Sequence, residues 1–298
     1  MQDPVLKFVA CPDDHGGHRM AYWQWGDPAC GHVVLCVHGL TRQGRDFDTL
    51  AKALRKAAGA AVCVVCPDVV GRGHSDWLKN PAQYQILQYA SDMMVLMQVL
   101  QPKRLDWVGT SMGGLIGLAI AGGPAVPTVA PIRRLVLNDV GPTLEWSALQ
   151  RIGQYVGQFG VYDSAEQAAA ALWAIAQGFG PHTPAQWLAL SLPNLRPLPD
   201  GSGRLTLHYD PALAEPFKAA TPDDVASGEA ALWQLYDQIK ASTLLIRGAD
   251  SDLLSPATAA AMTWRGPKAR LVELKGVGHA PTFVAQNQTQ LVLDFLLD

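Results

Sequence analysis

The sequence has little charge and no long apolar run, and each shortage excludes a class of protein. Charged residues make up 16% of the 298, the formal net charge is −3, and Lys and Arg form no cluster. This composition argues against a partner that is nucleic acid or an anionic membrane surface. No apolar stretch reaches the ~18 residues that a membrane-spanning helix needs, so stable membrane insertion is not expected.

Cysteine is also scarce, with five residues in the chain. An odd number in a chain of this length argues against a disulfide framework. Cys63 and Cys66 have the spacing of a redox or zinc motif, but they lie in an apolar run typical of a strand, where positions three apart face opposite sides. Residues 1–10 lack the basic-then-apolar pattern of a signal peptide. We therefore expect buried thiols, no metal site and a cytoplasmic protein.

Short apolar runs alternate with helical patterns along most of the chain. Residues 61–66, 105–109 and 243–247 read as buried strands, and residues 81–100 as a long helix. With 49% hydrophobic residues the chain can bury a large core. Strands that alternate with helices predict an α/β fold whose sheet is mostly parallel and covered by helices on both faces.

The alternation of strands and helices stops between residues 141 and 240. This stretch shows helical segments around 145–159, 164–177, 184–191 and 229–239, and no convincing buried strand. We predict a core domain of residues 1–140 and 241–298 with an inserted helical lid of residues 141–240. Trp146 and Trp173 lie in this lid and are candidates for lining an apolar substrate pocket, although holding the insert together explains them equally well.

A strand, a sharp turn and a helix meet at Gly109-Thr110-Ser111-Met112-Gly113. This G-x-S-x-G pattern is the nucleophile elbow, in which the turn holds the serine hydroxyl above the sheet edge. The N–H of Met112 begins the following helix and is a predicted donor to an oxyanion. Ser111 is therefore the candidate nucleophile.

A serine nucleophile needs a base, and the base needs a carboxylate. Among the eight histidines, His279 directly follows the last predicted strand, at the sheet edge where α/β proteins build their sites. Asp250 and Asp252 follow the strand of residues 243–247, and Asp139 follows the strand of residues 135–137. All three aspartates remain candidates for the acid on this evidence.

The loop after the strand of residues 32–38 is the predicted source of the second oxyanion donor. Gly39 allows a tight turn, which lets the N–H of Leu40 face that of Met112. Arg42 follows, and it is either a ligand for a substrate carboxylate or a surface residue. Gly71-x-Gly73 lacks the third glycine of a dinucleotide fingerprint, so we infer no cofactor.

Together these motifs resemble the α/β-hydrolase family over nearly the whole chain. The motifs that carry the resemblance are His38-Gly39-Leu40, Asp68-x-x-Gly71-x-Gly73-x-Ser75, Gly109-Thr110-Ser111-Met112-Gly113, Leu137-Asn138-Asp139, Arg247-Gly248, Asp252-x-x-x-Pro256 and Gly278-His279. The resemblance implies an eight-stranded sheet with a lid between the sixth and seventh strands. It also implies a cofactor-free serine hydrolase with Ser111 as nucleophile and His279 as base. Relatives place the acid four residues before a proline, which selects Asp252 and leaves Asp250 second.

The expected function is hydrolysis of a small-molecule carboxylic ester, with a small to medium acyl or hydroxyacyl group, through an acyl-enzyme. Relatives with the same triad cleave carbon–carbon bonds, lactones or hydroxyalkanoate oligomers, so a carbon–carbon bond or lactone hydrolase is the alternative. A non-catalytic ligand-binding member of the fold is the hypothesis from another class. The sequence does not indicate an oligomeric state.

Overall fold

The computed structural model describes residues 3–158 and 160–298, and its main feature is an eight-stranded sheet in the order β1-β2-β4-β3-β5-β6-β9-β10. The strands are β1 (Val5–Cys11), β2 (His18–Trp25), β3 (His32–Val37), β4 (Cys63–Pro67), β5 (Arg104–Thr110), β6 (Ile132–Asn138), β9 (Ser242–Gly248) and β10 (Arg270–Leu274). A separate antiparallel pair consists of β7 (Leu195–Pro197) and β8 (Leu205–Leu207).

Strand directions fix where the site lies. β1 and β2 form an antiparallel hairpin, and β2 also pairs antiparallel with β4. The six strands from β4 to the β10 edge are parallel to one another, in the order β4, β3, β5, β6, β9 and β10. The predicted mostly parallel, eight-stranded sheet is thus confirmed. Because parallel strands end at the same edge, the loops after β3, β5, β6, β9 and β10 open on one side of the molecule.

Helices cover both faces of the sheet, as predicted. The helices are α1 (Asp48–Ala58), α2 (Ile86–Leu100), α3 (Met112–Gly122), α4 (Trp146–Tyr155), α5 (Ala165–Ile175), α6 (Pro184–Ser191), α7 (Glu215–Ala219), α8 (Pro222–Gln238), α9 (Pro256–Met262) and α10 (Gln286–Leu297). Val34 belongs to the core cluster of α1 and α10, and its neighbour Leu35 to the cluster of α2 and α3. This is the alternation expected of strand side chains.

The stretch between β6 and β9 carries α4 to α8 together with the β7–β8 pair. Helices lie in each predicted helical segment, although α8 begins seven residues earlier than residue 229, at Pro222. The three-residue strands β7 and β8 had not been expected, because so short a segment has no apolar alternation to read. A lid with the boundaries 141–240 stays a prediction.

The helix predicted for residues 81–100 starts later than its sequence suggests. Pro81–Gln83 form one 3-10 turn, capped by the Asn80 side chain, and α2 itself begins at Ile86. The longest described helix, α8, has 17 residues. Within residues 3–158 and 160–298, no helix combines the length and apolar character that crossing a membrane requires.

Candidate active site

Ser111 occupies the sharp turn between β5 and α3. Its backbone lies at φ 51° and ψ −118°, a region that residues with a side chain rarely adopt. The Ser111 N–H donates to the Asn138 carbonyl at 3.0 Å, which ties the turn to the end of β6. Surrounding structure therefore holds the serine in a strained conformation at the carboxyl edge of the sheet.

The two glycines of the motif are explained by close backbone approach. A Cβ on Gly109 would collide with the Gly113 carbonyl, and a Cβ on Gly113 would collide with the Val37 carbonyl and lie 2.9 Å from the His38 oxygen. All of these neighbours are backbone atoms, which cannot swing aside. The start of α3 can lie this close to the ends of β3 and β5 only because both positions lack a side chain.

His279 lies in the loop between β10 and α10, with Nε2 2.9 Å from Ser111 Oγ and Nδ1 2.7 Å from Asp139 Oδ2. The neighbouring Gly278 N–H donates to the Gly178 carbonyl at 2.6 Å, which ties this loop to the stretch between β6 and β9. The structure thus brings Ser111, His279 and Asp139 into one hydrogen-bonded chain. That arrangement can deprotonate the serine hydroxyl.

Asp139 is fully buried at the end of β6 and receives three hydrogen bonds. Its Oδ1 accepts the Gly248 N–H at 2.8 Å, and its Oδ2 accepts the Ser251 hydroxyl at 2.6 Å and His279 Nδ1 at 2.7 Å. A carboxylate can only accept hydrogen bonds, so His279 must carry its proton on Nδ1 in order to donate to Asp139. Nε2 is then free to accept the proton of Ser111.

Asp252, the aspartate selected by the family pattern, does not contact His279, contrary to the prediction that it orients the base. Asp252 is exposed and forms a bidentate pair with Arg151, at 2.7 and 3.0 Å. Asp250 is exposed as well, and only its backbone N–H is bonded, to the Val277 carbonyl. The loop after β9 instead contributes Ser251, which supports Asp139. The bonds from Gly248 and Ser251 to Asp139 join distant parts of the chain, so spacing along the sequence could not reveal them.

The loop after β3 lies against Ser111, as expected for an oxyanion loop. An added Cβ on Gly39 would lie 3.7 Å from Ser111 Cβ. Burial lowers the pKa of His38 to about 3, so its ring is neutral at ordinary pH. The ring bonds to the Gly39 carbonyl at 2.7 Å through Nδ1 and accepts the Val69 N–H at 2.9 Å through Nε2. His38 therefore braces the loop that carries Leu40.

Arg72 connects the two residues predicted to supply oxyanion donors. The fully buried guanidinium donates to the Leu40 carbonyl at 2.7 Å and to the Val70 carbonyl at 2.6 Å, and it lies 3.3 Å from Met112 Sδ. Tyr89 stacks beneath it, with the ring centre 4.8 Å away. Within residues 3–158 and 160–298 no carboxylate forms an ion pair with it. In the sequence, Arg72 is the variable residue of Gly71-x-Gly73, and nothing in that motif indicates that it is buried.

Ser111 lies where two cavities meet, and both linings also include Leu40 and Ile152. The first measures about 120 Å³ and is called the polar cavity because the charged side chains of Arg42, Asp46 and Arg151 line it together with His279, although most of its lining is apolar, including Phe179 and Trp187. The second, the apolar cavity, measures about 450 Å³ and is lined mainly by apolar and aromatic side chains, among them Met112, Leu115, Val140, Leu144 and Phe217. Two compartments on either side of one nucleophile suit the two halves of an ester.

Of the three predicted substrate-binding residues, only Arg42 lines a cavity at Ser111. Arg42 lines the polar cavity, but it is held by Asp46 at 2.6 and 2.8 Å. Trp146 lines an adjoining cavity that shares Leu149 and Phe217 with the apolar cavity, and Trp173 packs against Trp187 with ring centres 5.0 Å apart. Neither of these two tryptophans belongs to the lining around Ser111, whereas Trp187 does. Periodicity could not distinguish which tryptophan faces the cavity.

A group with the side chains of a metal site lies elsewhere, at the β1–β2 hairpin and α2. Ligand atoms of Cys11, His18 and Asp92 lie within 4.8 Å of one another, all buried. His18 contacts Asp13 at 3.2 Å and Asp92 at 3.0 Å. Burial lowers the pKa of His18, but the bonds to both carboxylates outweigh burial and raise it. The group is therefore explained as a histidine hydrogen-bonded between two carboxylates.

Comparison with known proteins agrees with the fold. The model of the alpha/beta hydrolase family matches residues 34–292. A 3-hydroxybutyrate-oligomer hydrolase from Cupriavidus necator is 48% identical over 98% of this chain and 97% of its own length. This chain belongs to the alpha/beta hydrolase family, and the predicted enzyme class, a hydrolase, is confirmed.

Solved structures that match along the whole chain agree as well. An alpha/beta hydrolase from Novosphingobium aromaticivorans is 33% identical, with a TM-score of 0.81 over 100% of this chain and 99% of that chain. A putative hydrolase from Rickettsia typhi is 26% identical, with a TM-score of 0.84 and the same coverage. The whole architecture is thus shared.

Proposed function

We propose that this hydrolase cleaves carboxylic esters with a catalytic triad of Ser111, His279 and Asp139. The observation that carries the proposal is the chain of hydrogen bonds, 2.9 Å from Ser111 Oγ to His279 Nε2 and 2.7 Å from His279 Nδ1 to Asp139. His279 takes the proton of Ser111 as its oxygen attacks the ester carbonyl. Asp139 then stabilises the imidazolium that forms.

The negative charge that develops on the carbonyl oxygen needs donors within reach. The N–H groups of Leu40 and Met112 fill this role, with His38 and Arg72 bracing the two residues. His279 returns its proton to the departing alcohol, and water cleaves the acyl-enzyme by the same steps. Ser111 and Leu40 line both cavities, which supports a binding mode in which the acyl and alcohol parts of the ester lie on opposite sides of Ser111.

Oligomers of hydroxyacids, such as 3-hydroxybutyrate, are the substrate class we propose. Support comes from the Cupriavidus necator relative, which is 48% identical over nearly the full length of both chains. We also propose that residues 141–240 act as a lid. In support, Ile152 and Tyr155 of α4 and Trp187 of α6 line the cavities at Ser111.

The test is hydrolysis of p-nitrophenyl esters from acetyl to dodecanoyl, and of 3-hydroxybutyrate dimer and trimer, by the wild type and Ser111→Ala. We expect Ser111→Ala to lose a factor on the order of 10⁴–10⁶ in turnover, as in other serine triads. Ser227→Ala, at an exposed position of α8, is the matched control and should keep wild-type turnover. An active Ser111→Ala protein would remove Ser111 from the mechanism.

A further inference from the structure

The two cavities at Ser111 are not equivalent, because only one contains the general acid. In ester hydrolysis the histidine that deprotonates the serine later protonates the departing alcohol, so the alcohol oxygen must lie beside that histidine. His279 belongs to the lining of the polar cavity and not to that of the apolar cavity. The alcohol part of the substrate therefore belongs in the polar cavity and the acyl part in the apolar cavity.

The polar cavity carries an excess of positive charge in its lining. Arg42 and Arg151 line it together with a single carboxylate, that of Asp46. Asp46 binds Arg42 at 2.6 and 2.8 Å, and the Leu190 carbonyl accepts a further bond from Arg42 at 3.0 Å. The charge of Arg42 is therefore already offset, whereas the lining holds no second carboxylate for Arg151.

Arg151 has a partner that a ligand can replace. Asp252 lies outside the cavity lining, its side chain is 49% exposed, and that of Arg151 is 41% exposed. Exposed ion pairs are weak because water solvates both charges. Tyr155, one helical turn from Arg151 on α4, also lines the cavity and is half-buried. Arg151 thus presents a planar, bidentate donor at the cavity while its present partner is open to water.

Resting on the proposed function, we infer that Arg151 binds a carboxylate on the alcohol part of the ester, so that the enzyme removes units from the free-carboxyl end of hydroxyacid oligomers. In an ester between two hydroxyacids, the unit that departs as the alcohol is the one nearer the free carboxyl group. At the terminal ester bond this departing unit carries the carboxylate itself. The rest of the oligomer forms the acyl part, which suits the larger cavity.

The bonds that change follow from this orientation. Ser111 Oγ forms a bond to the ester carbonyl carbon, and the bond from that carbon to the alcohol oxygen breaks. The proton of Ser111 passes through His279 to the alcohol oxygen, and a free hydroxyacid leaves the polar cavity. Water then adds to the acyl-enzyme, which releases the shortened oligomer with a new carboxyl end.

The first experiment compares the 3-hydroxybutyrate dimer as free acid with its methyl ester, which lacks the charge, and follows cleavage of the ester bond between the two units in both. The measured quantity is the ratio of kcat/KM for the acid to kcat/KM for the methyl ester. We expect Arg151→Gln to reduce this ratio at least tenfold, mainly through KM for the acid, and Arg151→Lys to reduce it less. Arg265→Gln is the matched control, because Arg265 forms a similar bidentate pair, with Asp237, outside both linings. A wild-type ratio in Arg151→Gln overturns the inference.

The second experiment reads the direction of cleavage from a trimer acetylated at its hydroxyl end. We expect the first products to be free 3-hydroxybutyrate and the acetylated dimer, and initial release of acetylated monomer overturns the inference. Labelling of Ser111 by a fluorophosphonate separates the two proposals. A labelled, ester-cleaving protein with the wrong direction contradicts only the role of Arg151. A protein that is neither labelled nor active contradicts the proposed function itself.

Discussion

The loops after β6 and β9 each present an aspartate near the same edge of the sheet, and the two aspartates have very different surroundings. Asp139 is fully buried and accepts bonds from Gly248, Ser251 and His279. Asp252 is half exposed and pairs with Arg151. The comparison teaches that burial and fixed donors, rather than position relative to a proline, make an aspartate fit to orient a histidine.

The physical reason is the strength of electrostatic interaction in each place. A buried carboxylate acts on a neighbouring imidazolium through a medium of low dielectric, and its donors prevent it from turning away. A half-exposed carboxylate is screened by water and salt. The loop after β9 still contributes to the site, because its Ser251 and Gly248 hold Asp139 in place.

The largest effect that separates the two aspartates is expected from Asp139→Asn. An asparagine cannot stabilise the imidazolium and favours the wrong histidine tautomer, which costs about 10⁴ in kcat in a comparable triad. The measurement is kcat on p-nitrophenyl butyrate, with a thermal melt to show that the protein is folded. A folded Asp139→Asn protein with kcat within tenfold of the wild type would contradict the assignment of Asp139.

The features that could be predicted from the sequence are those that local patterns determine. Strands such as β4 and β9 are continuous apolar runs, and the elbow at Ser111 is a five-residue motif. The positions of His279 and Leu40 follow from the rule that parallel strands end at one edge. His279 lies beside Ser111 as expected, and Leu40 lines both cavities at Ser111. The catalytic roles of both residues stay predictions until the variants are measured.

What could not be predicted depends on contacts between distant parts of the chain. Asp139, Asp250 and Asp252 all follow strands, and spacing alone does not tell which side chain turns toward His279. The choice is made by the bonds that Gly248 and Ser251 give to Asp139, more than 100 positions away. In the same way, the pairing of Arg42 with Asp46 and the burial of Arg72 are tertiary facts.

A smaller effect is expected from Ser251→Ala, which removes the hydroxyl that donates to Asp139 at 2.6 Å. A hydrogen bond to a charged group contributes about 1.5–3 kcal/mol, and about 1.4 kcal/mol equals a tenfold change in rate. We expect kcat to fall about tenfold. Ser255→Ala is the control in the same loop, because Ser255 caps α9 and its loss costs about 1 kcal/mol of stability without touching Asp139. Equal kcat values for the two variants would exclude a supporting role for Ser251.

The smallest effect is expected from Asp252→Asn, and it is the direct counterpart of Asp139→Asn. The substitution removes the charge that pairs with Arg151 and leaves the bonds among Ser111, His279 and Asp139 in place. An exposed pair contributes about 0–1 kcal/mol, so the melting temperature should change little. Turnover of p-nitrophenyl butyrate, which carries no carboxylate for Arg151 to bind, should stay within about twofold, since Asp252 does not contact His279 and lies outside both cavity linings. A loss as large as that of Asp139→Asn would return the role of the acid to Asp252, because only a carboxylate acting on His279 explains it. If Asp252→Asn loses little turnover and Asp139→Asn loses much, then Asp252 pairs with Arg151 but does not act as the acid, although it stands at the family's usual position for that residue.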